Sequence, residues 1–576
     1  MKTDKIALLL DFIYGETGAE LLPRVTELLE QFSKDNELSP EPSPRISSKD
    51  MFLITYGDML SSGQAKNSET ALARLGGFLA KWNRGVFSWL HLLPFHPYSS
   101  DDGFSVIDYS QVDTGQGTWE DIAGLEKNFR LVFDFVINHG SVKSEWFKKF
   151  LAGDEFYKNR YVTRQKNYDS TAVVRPRTHP LLSTFTKNDG TPVCVWTTFS
   201  ADQADYDFSD PETLLDFIRI FLDYCRRGGR MLRLDAIAYL WKEDGTPCLH
   251  HPKTHAMVRL LRAIIDSLNL PLLLLTETNV PHSENLSYLG GKFSLETDCP
   301  DLGESHLVYN FALPPMVLHA AISGNAEPLK QWAQKLPALP EGNCFLNFLA
   351  SHDGVGLTPA QGLVDMAEFA RTLEIAQERG ALVSMKSTPQ GLIPYELNCN
   401  WADMVAPLSL GTAQMQARAF LASYAAALAL PGLPAVYFHS WIGSRSWKQG
   451  PELLGYNRAV NREKPAVETI EREIGETGSF RSLVMQGFYD LSQFRWSNEE
   501  FNPEAACTVL PSDNELFMLL REIKGRNRQL AAIVNFSSER RVGNVPALGS
   551  VTIEAHGVRW IIFDQTGILH QLVIGE

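Results

Sequence analysis

An α/β fold is predicted: a (β/α)8 TIM barrel with two inserted subdomains and a C-terminal antiparallel β domain. Three observations carry it. Eight short apolar runs recur along the chain, each separated from the next by a longer segment. The runs are continuous rather than alternating, as strands buried on both faces should be. Helical periodicity fills many of the intervals, which makes the strands parallel and the helices their crossovers.

The runs fall at 52–56, 89–93, 131–137, 231–234, 272–275, 307–311, 344–349 and 433–437. Helical patterns occupy 214–224 and 256–268, among others. The intervals 139–228 and 353–433 are too long for one crossover helix. Both begin just after a strand, on the face where barrel enzymes build their sites. They read as inserted subdomains at 139–209 and 354–412, leaving the barrel 51–138, 210–353 and 413–500. From 501 to 576, β-like runs at 517–520, 531–536, 551–555 and 560–563 alternate with Gly and Asn turns, the pattern of a small antiparallel domain. Residues 1–50 differ. Leu21, Leu22, Val25, Leu28, Leu29 and Phe32 recur at helical spacing, and Ser39, Pro40, Pro42, Ser43 and Pro44 make a linker. This is a helical appendage whose expected role is packing or assembly.

Composition excludes several functions. An apolar content of 44 % over 576 residues supports a large core, and 21 % charged residues is ordinary for a globular chain. The net charge of −15 argues against non-specific nucleic-acid binding and against an anionic membrane surface. Seven cysteines, at 194, 225, 248, 299, 344, 399 and 507, form no CxxC pair and no zinc-like spacing with His. They read as reduced thiols of a reducing compartment. The apolar run 6–10 is broken by Asp11 and lacks a small-residue cleavage site, so it is no signal peptide. Pro431, Gly432 and Pro434 cut the run 419–438 into a buried helix and a strand, not a membrane span. The expectation is a soluble cytoplasmic protein with small-molecule substrates, no nucleic-acid partner and no membrane partner; the sequence carries no signal for an oligomeric state.

Polar residues gather where the strands end. The third closes with Asn138-His139, the fourth reads Arg233-Leu234-Asp235, the fifth ends in Thr276-Glu277, and the seventh leads into Ser351-His352-Asp353. In a barrel these ends share one mouth. Three carboxylates and two histidines around one pocket point to glycosyl chemistry. One carboxylate attacks the anomeric carbon, a second gives and takes a proton, and a third stabilises the oxocarbenium-like state. Arg233 precedes Asp235 by two residues, so both lie on one side of a strand and the guanidinium holds Asp235 ionised. Glu277 must be protonated in the first step and ionised in the second, so its surroundings should raise its pKa.

The ordered segments LITYGD (53–58), HLLPFHPYSSDDGFSVIDY (91–109), DFVINHGS (134–141), RPR (175–177), VWTTFSADQ (195–203), RLDAIAY (233–239), FALPPMVLHA (311–320), SHDGVGL (351–357) and GYNRAVNR (455–462) resemble the α-amylase family of glycoside hydrolases, within it the sucrose-phosphorylase subgroup. The resemblance spans about residue 50 to 465. It implies Asp235 as nucleophile, Glu277 as general acid/base and Asp353 as transition-state stabiliser. It implies that Asp101, Phe104, His139, Arg233, His352 and Arg458 grip the glucosyl unit, with Phe199 and Gln203 lining the same pocket. Arg177 matches an arginine that contacts phosphate and acceptor, while its neighbour Arg175 is expected to face the other way. Tyr395 matches a mobile-loop tyrosine. Lys386, in the same inserted loop, reads first as a solvated surface lysine and second as an anion contact.

Departures from sucrose phosphorylases point to a different acceptor. Pro394 and Glu396 stand where those enzymes usually show Leu and Gln, and Val174 replaces a Tyr before RPR. With the appendage and the segments RPRTHPLLSTF, SHDGVGL and PYELN, the chain looks most like the glucosylglycerate phosphorylases of this subgroup. That resemblance implies reversible phosphorolysis of 2-O-α-D-glucosyl-D-glycerate to α-D-glucose 1-phosphate and D-glycerate through a covalent β-glucosyl-enzyme, with Glu396 on the acceptor side. It implies inorganic phosphate as co-substrate, no cofactor and no metal. Sucrose, glucosylglycerol and sucrose 6′-phosphate phosphorylases share the motifs and remain alternatives, as do an α-glucosidase and a non-catalytic carbohydrate-binding subunit.

Overall fold

The computed structural model describes residues 2–36, 44–63, 69–294, 302–388 and 391–575. Cys299 and the linker residues Ser39, Pro40, Pro42 and Ser43 lie outside the described residues; the other six cysteines carry free thiols.

Eight strands close a barrel: β1 (Phe52–Thr55), β2 (Trp89–Leu92), β3 (Arg130–Phe135), β4 (Gly229–Leu234), β5 (Leu273–Thr276), β6 (Leu307–Tyr309), β7 (Cys344–Phe348) and β8 (Leu433–Tyr437). They follow one another around the barrel in chain order and β8 returns to β1, every pairing parallel. Each of the eight predicted runs is a barrel strand. β1, β2, β5, β7 and β8 are buried at every position, packed on one face by barrel side chains and on the other by helices. The run 419–438 is the end of helix Ala413–Ala429, a short turn and β8.

The first inserted segment carries helix Glu145–Ala152, a three-stranded sheet (Thr163–Arg164, Leu182–Thr186, Pro192–Trp196) and the antiparallel pair His139–Ser141 with Gln203–Asp205. The second carries helix Met366–Glu378 and the hairpin Leu382–Thr388/Gly391–Asn398, with Val355–Gly356 as its third strand. At the C-terminus five antiparallel strands form one sheet. The predicted run 551–555 falls instead in a separate hairpin, Arg541–Val545 with Gly549–Ile553.

The appendage is two helices, α1 (Asp4–Tyr14) and α2 (Glu16–Asp35), joined at Gly15 with φ +60°. Ile6, Leu9, Leu10 and Ile13 of α1 and Leu21, Val25 and Leu29 of α2 are buried. The pair is docked on the barrel rather than tethered to it. Tyr14 OH donates to Phe208 O at 2.8 Å, and Arg24 forks onto both oxygens of Glu212 at 2.6 and 2.8 Å.

Candidate active site

The strand ends deliver the three carboxylates to one pocket, as their spacing requires. Asp235 follows β4, Glu277 follows β5 and Asp353 lies beyond β7, and all three line the same cavity. Arg233 Nη1 donates to Asp235 Oδ1 at 2.7 Å and to Asp134 Oδ1 at 2.5 Å, while Nη2 lies 4.0 Å from Glu277 Oε2. The far oxygen of Asp134 meets His91 Nε2 at 2.9 Å. Arg233 is not on the cavity wall and its side chain is 2 % exposed. Its guanidinium sits against Asp235 and Asp134. A guanidinium needs carboxylates on the buried side, and Asp134 supplies one.

Burial, with Glu277 and Asp134 nearby, pushes the Asp235 carboxyl up against the pull of Arg233. Burial and Asp353 push Glu277 up as well. Asp235 is thereby pushed up to about 8. Arg233 touches Asp235 and stands off from Glu277, and that contrast draws a shared proton toward Glu277. Ala236, directly after Asp235, takes φ +48°, and this turn aims its N–H at Glu277 Oε2 at 3.1 Å.

Asp353 is ionised. Burial raises its pKa, but Arg458, Arg462 and Arg233 outweigh burial and hold it below the usual carboxylate range. Arg458 Nη1 pairs with Asp353 Oδ1, and its Nε and Nη2 fork onto Glu396 at 2.9 and 2.7 Å. Glu396 also accepts from Asn398. Glu396 lines the cavity, with Arg458 on both its oxygens.

Phe104 stacks on His352, ring centroids 5.0 Å apart and planes 8° apart. His139 Nε2 lies 3.1 Å from Phe104 O and 3.2 Å from Gln203 Nε2, which in turn reaches Asp101 Oδ2 at 3.4 Å. Burial pushes His139 down to about 4 and His352 well below its usual value, so both rings are neutral at pH 7. At the outer end Arg177 lies 5.8 Å from the Phe199 ring centroid and 6.0 Å from that of Tyr395, whose OH accepts from Asn279 Nδ2 at 3.3 Å. Burial pushes the Tyr395 hydroxyl up to about 12. Arg175 is turned away, donating to His179 O. Lys386 is no freely solvated lysine. Its Nζ sits 3.1 Å from Thr358 Oγ1 and 5.4 Å from the Tyr395 ring centroid, and burial lowers its pKa.

Of the fourteen residues expected from the sequence, all but Arg233 line this one cavity. Sequence reasoning missed Asp134, His91, Asn279, Tyr239, Asn461 and Arg462. Asp134 and His91 each stand alone inside an apolar strand run, and a lone charge there must be paired. That signal was present. Among the described residues no cluster of His, Cys, Asp and Glu is arranged to hold a metal ion, and no helix is long and apolar enough to cross a membrane.

An eight-stranded barrel with three carboxylates at its mouth is the frame of the α-amylase enzymes, and residues 87–354 match the family described as alpha amylase, catalytic domain. The chain is 43 % identical to a glucosylglycerate phosphorylase of Spirochaeta thermophila, over 93 % of this chain and 89 % of that protein. It is 38 % identical to a glucosylglycerate phosphorylase of Escherichia coli, over 97 % and 99 %. A solved sucrose 6F-phosphate phosphorylase from Thermoanaerobacter thermosaccharolyticum superposes with a TM-score of 0.74 at 22 % identity, covering 93 % of this chain and 99 % of that one. The chain belongs to the glucosylglycerate phosphorylase branch of the α-amylase family.

Proposed function

We propose that the protein catalyses the reversible phosphorolysis of 2-O-α-D-glucosyl-D-glycerate with net retention at the anomeric carbon. The observation that carries this reading is the 43 % and 38 % identity to two glucosylglycerate phosphorylases over nearly the whole chain. The pocket supplies the chemistry. Asp235 attacks C1 of the glucosyl unit while Glu277 passes its proton to the glycosidic oxygen. D-Glycerate leaves, and a β-glucosyl ester forms on Asp235. The carboxylate of Asp353 stabilises the positive charge that develops on C1 and the ring oxygen. Phosphate then attacks C1 from the face that glycerate left, Glu277 takes the phosphate's proton, and the ester bond to Asp235 breaks. Two inversions give α-D-glucose 1-phosphate.

Glycerate and phosphate are small anions that visit the same side of the glucosyl-enzyme in turn. Arg177, at the outer end of the pocket, takes both. The reaction needs no metal and no organic cofactor; phosphate is a co-substrate. The reading places the enzyme in the cytoplasm, where sugar phosphates are handled.

The test is phosphate release from α-D-glucose 1-phosphate with D-glycerate, glycerol, fructose, fructose 6-phosphate or water supplied one at a time. Release driven far best by D-glycerate supports the reading. Release driven best by another acceptor keeps the mechanism and removes the substrate. Equal release in every tube, water included, makes the protein a hydrolase.

A further inference from the structure

We propose that the dipeptide Asn461-Arg462 is a positioning device that fixes the stabilising carboxylate Asp353 and ties it to the turn presenting Asp101. The proposal rests on the retaining glucosyl chemistry above. Neither residue lines the cavity. Both are buried, Asn461 at 1 % and Arg462 at 4 % exposure.

The contacts are on backbone. Asn461 Nδ2 lies 3.1 Å from Ser351 O and 3.1 Å from Asp353 O, and Arg462 Nε donates to His352 O at 2.9 Å. Two adjacent side chains thus hold three consecutive carbonyls of the segment that carries Asp353. Buried carbonyls need donors, and here the donors come from a segment more than a hundred residues away in the chain. Asn461 is itself anchored to the barrel, its carbonyl accepting from Tyr437 OH at 2.9 Å, at the end of β8.

The other end of Arg462 reaches the turn that follows β2. Its Nη1 meets Asp102 Oδ2 at 2.7 Å and Asp101 Oδ1 at 3.7 Å, and Nη2 lies 3.6 Å from Asp353 Oδ1. Asp101 and Asp102 hold φ of +53° and +48°, in the left-handed region that Asp enters more readily than most residues with a side chain. Tyr456 OH, from the same segment, donates to Asp102 Oδ2 at 2.6 Å. One guanidinium therefore joins the left-handed turn after β2 to the loop after β7.

The device has a chemical purpose. Arg458 already pairs with Asp353 in the free protein. A carboxylate on a slack backbone would settle onto that guanidinium and away from the developing charge on C1. With three carbonyls held, Asp353 keeps its place.

α-D-Glucosyl fluoride reads this pocket without an acceptor and without protonation of the leaving group. Arg462→Ala is expected to lower kcat for fluoride release about 100-fold, with a much smaller change in KM. Millimolar guanidinium is expected to restore part of kcat, and sodium chloride at equal ionic strength is not. Arg462→Lys keeps the charge but loses the planar fork, so it serves if the alanine variant does not fold, and its kcat is expected to fall too. Wild-type kcat in a variant folded by near-UV circular dichroism overturns the proposal. So does an effect confined to KM, or a loss in Arg462→Ala that guanidinium leaves untouched. An unmutated protein that releases no fluoride overturns the glucosyl reading, and the positioning role with it.

Discussion

Replacing Glu277 by Gln removes a proton-carrying carboxyl and keeps its shape. The amide oxygen can still accept from Ala236 N–H. Arg233 decides where the proton sits in the unmutated pair, because its guanidinium approaches Asp235 to 2.7 Å and Glu277 only to 4.0 Å. At an effective dielectric constant of about 20 these separations stabilise the two carboxylates by about 6 and about 4 kcal/mol. This contrast of about 2 kcal/mol, a factor of about 30, draws the proton toward Glu277 against the burial and the Asp134 charge that push Asp235 up. Glucosylglycerate needs that proton, since glycerate leaves poorly as an alkoxide. Glu277→Gln should therefore lower kcat on it by about 10²–10⁴. Fluoride leaves without a proton, so the first turnover of α-glucosyl fluoride should stay within about tenfold of the unmutated enzyme. The pH profiles carry the sign. The unmutated enzyme loses activity as pH rises and the Asp235–Glu277 pair gives up its shared proton, because no acid is left for the leaving group. It loses activity as pH falls and the pair takes up a second proton, because the nucleophile becomes protonated. In the variant the alkaline limb should vanish. The acid limb should move to lower pH, because Glu277 no longer pushes Asp235 up. Rapid-mixing measurements of fluoride and phosphate release across pH test this. A surviving alkaline limb, or equal losses with both donors, would refute the assignment of the proton.

Arg177→Ala should raise KM for phosphate and for D-glycerate by about 10–100-fold each, the loss of one charge-assisted contact, and leave first-turnover fluoride release unchanged; steady-state kinetics with only one constant moved would end the shared-anion idea. Gly354→Ala would place a methyl 2.5 Å from Asn398 Nδ2 and 2.6 Å from both Glu396 Cγ and Leu397 O. The backbone oxygen cannot swing aside, so kcat should fall at least about tenfold, and an unchanged kcat would mean that the inserted hairpin yields freely. Tyr14→Phe should lower the unfolding free energy by about 1 kcal/mol through the orphaned Phe208 carbonyl, with kcat and KM unchanged; denaturant titration beside activity checks it.

The barrel was legible because each strand is buried on both faces, which forces the sequence into an unbroken apolar run. The C-terminal strands Ala506–Val509, Arg541–Val545 and Gly567–Ile574 escaped the same reading because they are half exposed, and their apolar positions are too few to mark. The first helix of the appendage, α1, holds the short apolar run 6–10, which alone is too brief to mark a helix; α2 was legible from its apolar spacing despite Pro23. In the site, residues on strand ends were legible because topology brings those ends together. The ion pair of Glu396 was not, because the motif gave its neighbourhood and not its partner: Arg458 lies 62 positions further along. Arg462 is silent for the same reason. It stands four residues after an arginine that the motif explains, and its partners come from two distant loops.

The two ends of the pocket come from different parts of the gene. The carboxylates and the ring stacked on His352 sit on strand ends and their first loops, whereas Arg177, Phe199 and Tyr395 sit on the inserted segments. A lineage can therefore rewrite its choice of acceptor by altering or exchanging the insertions while inheriting the bond-breaking apparatus unchanged. The Glu396–Arg458 ion pair limits that freedom, because it fastens the exchanged part to the inherited one. Libraries directed at new acceptors would do well to hold that pair fixed and vary the residues around it.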